Sequence, residues 1–432
     1  MGGNKTIDRL ERLQGEIVVP GDKSISHRSV MLASLGDGAV RITNFLHAQD
    51  CLSTVACMRS LGVKVDEVSD TQLVVYGRGI KGLTEAAGII DAGNSGTTLR
   101  LMMGILAPQP FLTTFTGDVS LCQRPMARVI KPLSKMGAQI VGRNGNRFLP
   151  ITVVPSAQSL QGITYTMPMA SAQVKSAILL AGMYADGETT VTEPYTSRDH
   201  TERMLESFGV PLKKKGTSVT IKRIKELHSP EHIEVPGDIS SAAYWLVAAS
   251  VIKDSDVLLK NVGVNPTRTG ILDVLCSMGA DIVLLNKRLS GKEPVADIRV
   301  RYAELHGTKF GAEIMPRLID EIPIITLAAM LAEGKTVITG AGELRVKETD
   351  RLQAIMDQFN KLAPCIRGTE DGLIIKGGQT LQTAVCFSYH DHRIAMALAI
   401  AGAAGNGVEI EAGECVNISY PEFYDILNGL AK

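Results

Sequence analysis

Several short runs of this 432-residue chain combine side chains that grip anions with side chains that move protons. Lys23, Ser24 and Arg28 fall within PGDKSISHRS. Asn94 and Gly96 fall within DAGNSGTTLR, whose glycines let backbone approach a ligand closely. Ser171, Gln173 and Lys175 fall within MASAQVKSA, and Asp320 with Glu321 enters an apolar run as a pair of carboxylates. His390, Asp391, His392 and Arg393 open another apolar run. Three further runs add Arg124 and Arg128 (QRPMAR), Arg198 and His200 (SRDH), and Arg345, Lys347, Glu348 and Arg351 (RVKETDR). Lysine and arginine with hydroxyls and backbone N–H groups suit a multiply charged anion. Carboxylates beside them suit proton transfer.

The elements that must carry these residues repeat. An apolar residue followed by Gly or Asn, the pattern of a left-handed helix end, recurs at Gly62, Gly137, Gly209, Gly279, Asn360 and Gly429, at intervals of 75, 72, 70, 81 and 69 residues. Between these ends lie six mostly apolar helices with polar starts: SISHRSVMLASLG, SGTTLRLMMGILA, SAQVKSAILLAGM, ISSAAYWLVAAS, IDEIPIITLAAML and HDHRIAMALAIAG. A helix apolar nearly all round is a buried one. With β-branched runs such as Thr71–Tyr76 and Gly372–Ile375 between them, each unit reads strand, buried helix, strand, surface helix, strand, strand. The class is α/β. Val19-Pro20-Gly21-Asp22 returns 216 residues later as Val235-Pro236-Gly237-Asp238. Three units per domain follow, with residues 1–19 and 236–432 forming one domain and 20–235 the other.

Six helix starts offer free N–H groups and positive dipole ends; the first, second, third, fifth and sixth carry the residues above, and the three further charged runs precede surface helices. A single charge run before a helix is ordinarily a solvated face, and a lone histidine is ordinarily structural. Recurrence at one topological position is what marks an anion site here.

Composition narrows the classes. The 45 basic and 45 acidic side chains balance, so there is no basic excess for a nucleic acid, and positive charge must be concentrated locally. Seven single cysteines without a CxxC pair argue against a disulfide framework or zinc site and for a reducing, cytoplasmic setting. No secretory leader is expected. Gly2 and Thr6 match a loose lipidation pattern without a basic patch beside it. The apolar run Ile394–Gly405 is short of the roughly 20 residues a membrane span needs. GDKS lacks the upstream glycine of a phosphate loop, and Gly334-Lys335-Thr336 fails likewise, which argues against a kinase. His390 and His392 form a metal-like pair with no further ligand cluster beside it.

Taken together, PGDKSISHRS, DAGNSGTTLR, RPMARV, MASAQVKSA, TSRDHTE, NPTRTG, LRVKETDRL and DHRIAMA resemble the 5-enolpyruvylshikimate-3-phosphate (EPSP) synthase family, in order and over essentially the whole chain. RPMARV and SAQVKSA are similar to the second of its two broad sequence classes, which includes glyphosate-tolerant members. The resemblance implies two domains of three βαβαββ units that close around the substrates. It implies transfer of enolpyruvyl from phosphoenolpyruvate to the 5-hydroxyl of shikimate 3-phosphate by addition and elimination, with no metal or organic cofactor and a monomeric enzyme. It also implies roles. Lys23, Ser24 and Arg28 would bind shikimate 3-phosphate, with Lys23 reaching the phosphoenolpyruvate phosphate as well. Ser171, Gln173 and Arg198 would hold the 3-phosphate side. Gly96, Arg124, Arg351 and Arg393 would clamp phosphoenolpyruvate, with Asn94 beside them. Asp320 would act as base, Glu348 as proton donor, and Lys347 would orient or deprotonate the hydroxyl. Departures are Ala172 where other members have Ser, and Ile418 where many have Lys. Gly96 stands where some tolerant members carry Ala, so inhibition by glyphosate is expected. The sister family acting on UDP-N-acetylglucosamine has a loop Cys five residues before an Arg, whereas Cys122 precedes Arg124 by two. A non-catalytic anion binder would not need Asp320 and Glu348 beside its cations.

Overall fold

The computed structural model describes residues 3–431, so Gly2 of the lipidation pattern lies outside the described residues. The chain forms two compact units. One comprises the residues up to Pro20, Pro236–Leu289 and the residues from Pro294 onward. The other comprises Gly21–Val235 with Ser290–Glu293. Each has its own apolar core. None of the described helices is long and apolar enough to cross a membrane.

Six helices form the spine of these cores. In the unit of Gly21–Val235 they are Lys23–Leu35, Gly96–Leu106 and Ala172–Gly182. In the other they are Ile239–Val251, Ile322–Leu331 and His392–Ala404. Their sequences are apolar on every side, and nearly every residue beyond the first turn is buried. Five starts are capped by a side chain that accepts a backbone N–H: Asp22, Ser95, Ser171, Asp238 and Asp391. The sixth has no such cap; a short 3-10 turn, Ile319–Glu321, brings Asp320 and Glu321 to it. Between the helices Gly96–Leu106 and Ala172–Gly182 the backbones meet at Gly104, where a Cβ would stand 2.3 Å from the Ala177 carbonyl oxygen.

Among the described residues each unit also holds three small sheets, and five of the six share one strand order. Ile90–Asp91, for example, runs parallel to Thr113–Thr116, which pairs antiparallel with Phe148–Val154, which pairs antiparallel with Gln139–Gly142. The sheet made by Ala384–Phe387 and Val408–Glu411 is closed instead by Lys5–Ile7. Two sheets borrow their first strand from far along the chain. His232–Glu234 lies beside Ala39–Thr43, and Gln14–Val18 lies beside Asp256–Gly263. The repeat is thus complete in space but not contiguous in sequence at its two crossing points. The Pro-Gly-Asp echo has a structural counterpart. Asn44 and Asn261 both adopt positive φ, and each turns its carbonyl toward the glycine of a Pro-Gly-Asp turn, Gly21 and Gly237 respectively.

Four of the six expected helix ends are left-handed glycines: Gly62, Gly137, Gly209 and Gly279. The last two differ. Asn360 lies inside the helix Arg351–Leu362, where its side-chain oxygen accepts the N–H groups of Cys365 and Ile366 at 3.0 and 2.9 Å. Gly429 lies inside Phe423–Leu430. An asparagine side chain can satisfy the backbone beyond a helix without ending it, and sequence alone does not distinguish the two uses.

Gly137 differs from Gly21 in what a side chain would cost. At Gly137 (φ +99°) a Cβ meets nothing within 4 Å, so only the backbone conformation resists it. At Gly21 it would fall 1.9 Å from the Asn44 carbonyl oxygen. Gly137→Ala is therefore expected to cost about 1 kcal/mol and lower the thermal midpoint by about 2–4 °C. Gly21→Ala should lower it several times further. Melting curves followed by circular dichroism check this, and equal shifts would contradict it.

Candidate active site

In the unit of Gly21–Val235 the polar residues gather at the starts of the three buried helices. Lys23 donates to Asp50 Oδ2 at 3.1 Å. Ser24, half-buried, offers its carbonyl to Arg28 Nη1 at 2.8 Å. Arg28 is buried, and it also donates through Nε to Thr201 at 2.7 Å and through Nη2 to Ser176 at 3.0 Å. These three bonds hold its guanidinium in place. Arg124 is set by Asn94, donating to the side-chain oxygen at 2.7 Å and to the carbonyl at 3.3 Å, and by Ser120 at 3.0 Å. Asn94 in turn donates to Asp118 at 2.5 Å. Gly96 opens its helix between two guanidinium groups. A Cβ there would stand 2.7 Å from Arg100 Nη1 and 3.6 Å from Arg124 Nη1. Gln173 joins two helix starts, accepting from Arg100 at 2.7 Å and donating to Thr97 at 3.0 Å. Ser171 uses its hydroxyl as a cap for Val174 N. Arg198 is half-buried and follows Ser197, whose N–H donates to Glu193 at 3.2 Å.

Lys175 corrects an expectation. It follows Ser171 and Gln173 at the third helix start, yet it points into the core and pairs with Glu193 and Glu202, each at 2.8 Å. Burial works against its charge, but Glu202 and Glu193 outweigh that and raise its pKa above the ordinary lysine value. It is an internal ion cluster, not a group presented to a ligand.

The other unit holds the carboxylates. Asp320 is the node. Arg351 Nη1 donates to its Oδ1 at 3.3 Å, Lys347 Nζ lies 3.6 Å from the same oxygen, and Arg393 Nη2 lies 3.9 Å from Oδ2. Arg351 is buried and spans three carboxylates, reaching Asp391 at 2.7 Å through Nε and Glu348 at 2.6 Å through Nη2. Asp391 also caps its own helix by accepting the Arg393 backbone N–H at 2.9 Å. Burial opposes the charge on Arg351, but Asp391 and Glu348 hold its pKa above the arginine range. Asp320 does the same for Arg393. Glu348 remains partly open, with its side chain 27% exposed.

A second buried cluster was not foreseen. Arg268 donates to Asp238 and to Ser240, both at 2.9 Å, and the Ser240 hydroxyl donates to Glu321. It ties two helix starts together. Arg268 lies in NPTRTG and Ser240 two residues past the second Pro-Gly-Asp turn, so the repeated turn was the available signal. Nothing local marks Asp50 as the partner of Lys23. Near the C-terminus Tyr420 is buried and accepts from Trp245 Nε1 at 3.0 Å, while Ile418 is half-buried. Among the described residues no three His, Cys, Asp or Glu side chains are grouped to hold a metal ion.

The relatives of this chain can be set beside that geometry. The family model of EPSP synthase (3-phosphoshikimate 1-carboxyvinyltransferase) matches residues 7–427. A 3-phosphoshikimate 1-carboxyvinyltransferase of Desulforamulus reducens is 51% identical over 422 residues, covering 98% of either chain. The one from Bacillus subtilis is 50% identical over 427 residues, covering 98% of this chain and 99% of its own. An EPSP synthase structure from Acinetobacter baumannii superimposes with a TM-score of 0.88 at 42% identity, over 99% of this chain and 98% of that one. The fold is that of the two-domain enolpyruvyl transferases, and the chain belongs to the EPSP synthase family.

Proposed function

We propose that this protein transfers the enolpyruvyl group of phosphoenolpyruvate to the 5-hydroxyl of shikimate 3-phosphate and releases phosphate, acting as a monomer in the cytoplasm. The observation that carries the reading is the Asp320 carboxylate, ringed by Lys347, Arg351 and Arg393, with Glu348 on the same arginine. A protein that only bound anions would have no use for carboxylates among the cations that must attract them.

The roles follow from the chemistry. Asp320 accepts the proton of the 5-hydroxyl, with Lys347 orienting that oxygen. Glu348 protonates the C3 methylene of phosphoenolpyruvate, which makes C2 electrophilic, and the hydroxyl oxygen attacks C2. From the tetrahedral adduct a C3 proton returns to Glu348, the C2–O bond to phosphate breaks, and the phosphate, held by Lys23, leaves with the proton that Asp320 took from the 5-hydroxyl, so both carboxylates end as they began. Arginine suits the phosphoenolpyruvate carboxylate and phosphate because its planar fork binds them in pairs. That task falls to Arg124, Arg351 and Arg393, with Asn94 setting Arg124 and the N–H groups at Gly96 adding a helix start. Lys23, Ser24, Arg28, Ser171, Gln173 and Arg198 hold shikimate 3-phosphate. Arg28 is held in position by its bonds to Thr201, Ser176 and the Ser24 carbonyl. Fixed dipoles and charges of this kind stabilise developing charge without reorganising during the reaction.

Phosphate release from phosphoenolpyruvate is expected with shikimate 3-phosphate and not with UDP-N-acetylglucosamine; release with the nucleotide sugar alone would assign the chain to the sister reaction. Glu348→Gln is expected to lower kcat by about 100-fold or more, the ordinary worth of a positioned proton donor. Its thermal midpoint should hold, and near-normal turnover would remove Glu348 from the mechanism. Gly96 has no Cβ to crowd the space beside Arg100 and Arg124, so glyphosate is expected to inhibit in competition with phosphoenolpyruvate. A dose curve that stays flat into the millimolar range would contradict this.

A further inference from the structure

The buried ring of His27 belongs to none of the roles above, yet it opens a continuous chain of hydrogen bonds. His27 Nδ1 lies 2.7 Å from Thr54 Oγ1, Thr54 Oγ1 lies 2.7 Å from Thr98 Oγ1, and the Thr98 hydroxyl donates to Ser95 Oγ at 2.8 Å. Ser95 is the cap of the helix Gly96–Leu106, accepting the Thr98 N–H at 3.2 Å. His27, Thr54 and Thr98 have no exposed surface, and Ser95 has 1%. We propose that His27 is a positioning residue for the phosphoenolpyruvate part of the site: as the Nδ1–H tautomer it donates through Thr54 and Thr98 to Ser95, and so sets the start of the helix that carries Gly96. The proposal rests on the function assigned above to Gly96.

Proton counting fixes the direction of the chain. The Thr98 hydroxyl spends its one proton on Ser95, so toward Thr54 it can only accept. Thr54 then spends its proton on Thr98 and must accept from His27, whose proton therefore sits on Nδ1. Nε2 is left as an acceptor. It is buried and has no hydrogen-bond partner among the described residues. The other tautomer would bury an unsatisfied N–H there, which is the costlier arrangement. Burial lowers the His27 pKa to about 3, with Asp50 opposing and Lys23 and Arg28 adding to the shift, so the ring stays neutral.

Register explains why the chain bears on the site. Lys23 and His27 are one turn apart on the helix Lys23–Leu35, and Asp50 and Thr54 are one turn apart on the helix Gln49–Ser60. Lys23–Asp50 and His27–Thr54 are thus two rungs joining the same pair of helices. The second continues to Ser95. A buried polar chain is tolerated only when its members satisfy one another, and it then specifies one arrangement of the helices it joins.

Two measurements on the intact chain test this. Nitrogen-15 NMR of labelled histidine is expected to show His27 neutral and protonated on Nδ1 near neutral pH; an Nε2–H ring or an imidazolium would overturn the proposal. In steady-state kinetics, His27→Leu and Thr98→Val are each expected to raise KM for phosphoenolpyruvate about tenfold, the worth of one buried hydrogen bond. KM for shikimate 3-phosphate should stay within about twofold, because the Lys23–Asp50 rung is intact. The double variant should be no worse than either single one, since both cut one chain. His27→Asn keeps an N–H at the δ position and should restore most of the loss. Equal effects on both substrates, additive losses, or no rescue by asparagine would overturn the role. If His27→Leu does not fold, Thr98→Val carries the kinetic test. A wild-type chain inactive on these substrates would sink the function assigned above, and the chain of bonds would then stand or fall on the tautomer alone.

Discussion

A guanidinium or ammonium group taken out of water is costly unless its charge and its N–H groups are both satisfied. This protein places several in the interior of its two units while carrying no net charge, and it solves the problem in two ways. Arg28 is held in place by the Thr201 and Ser176 hydroxyls and the Ser24 carbonyl. Arg351 is held by Asp391, Asp320 and Glu348, so the groups that keep it in place are themselves acids and bases. The first solution suits a surface that must attract polyanions. The second suits one that must also move protons. Lys175, with Glu193 and Glu202, shows that buried charge can equally be purely structural.

The buried helix start is the device on which both solutions are built. Six apolar helices begin at polar turns, and a helix start leaves N–H groups and a positive dipole end unanswered. Five are capped by Asp or Ser, each of which uses one N–H and leaves others. The exception is the start at Ile322, where a 3-10 turn replaces the cap and presents Asp320 and Glu321 together. Departure from the repeat therefore falls where the candidate base lies. Local rules are most often broken at functional positions, and this one follows that pattern.

Neighbouring starts are also linked by side chains. Gln173 joins Arg100 and Thr97, Ser240 joins Arg268 and Glu321, and the His27 chain runs through Thr54 and Thr98 to Ser95. Each link satisfies buried polar atoms while fixing where one helix begins relative to the next. Within each unit, packing of apolar sides holds the helices, and these polar links align their ends.

Much of this was legible in the sequence because it depends on local pattern. Helices apolar on all sides, polar starts, glycines after Leu61, Met136, Phe208 and Met278, and the doubled Pro-Gly-Asp turn follow from periodicity and backbone preference, which act over a few residues. The motifs carried the family. What only the tertiary structure decided was partnership. His232–Glu234 and Gln14–Val18 join sheets whose other strands lie elsewhere in the chain, because a strand's partner is chosen by packing and not by its own residues. Asn360 continues its helix where its neighbourhood suggested an end. Lys175 turns inward to Glu193 and Glu202 although the two polar residues before it suggested a ligand. Asp50 becomes the partner of Lys23, and Arg268 that of Asp238, across sequence separations that no local rule spans. A side chain's type states what it can bond to; which atom it meets is set by the folded backbone that brings distant residues within reach.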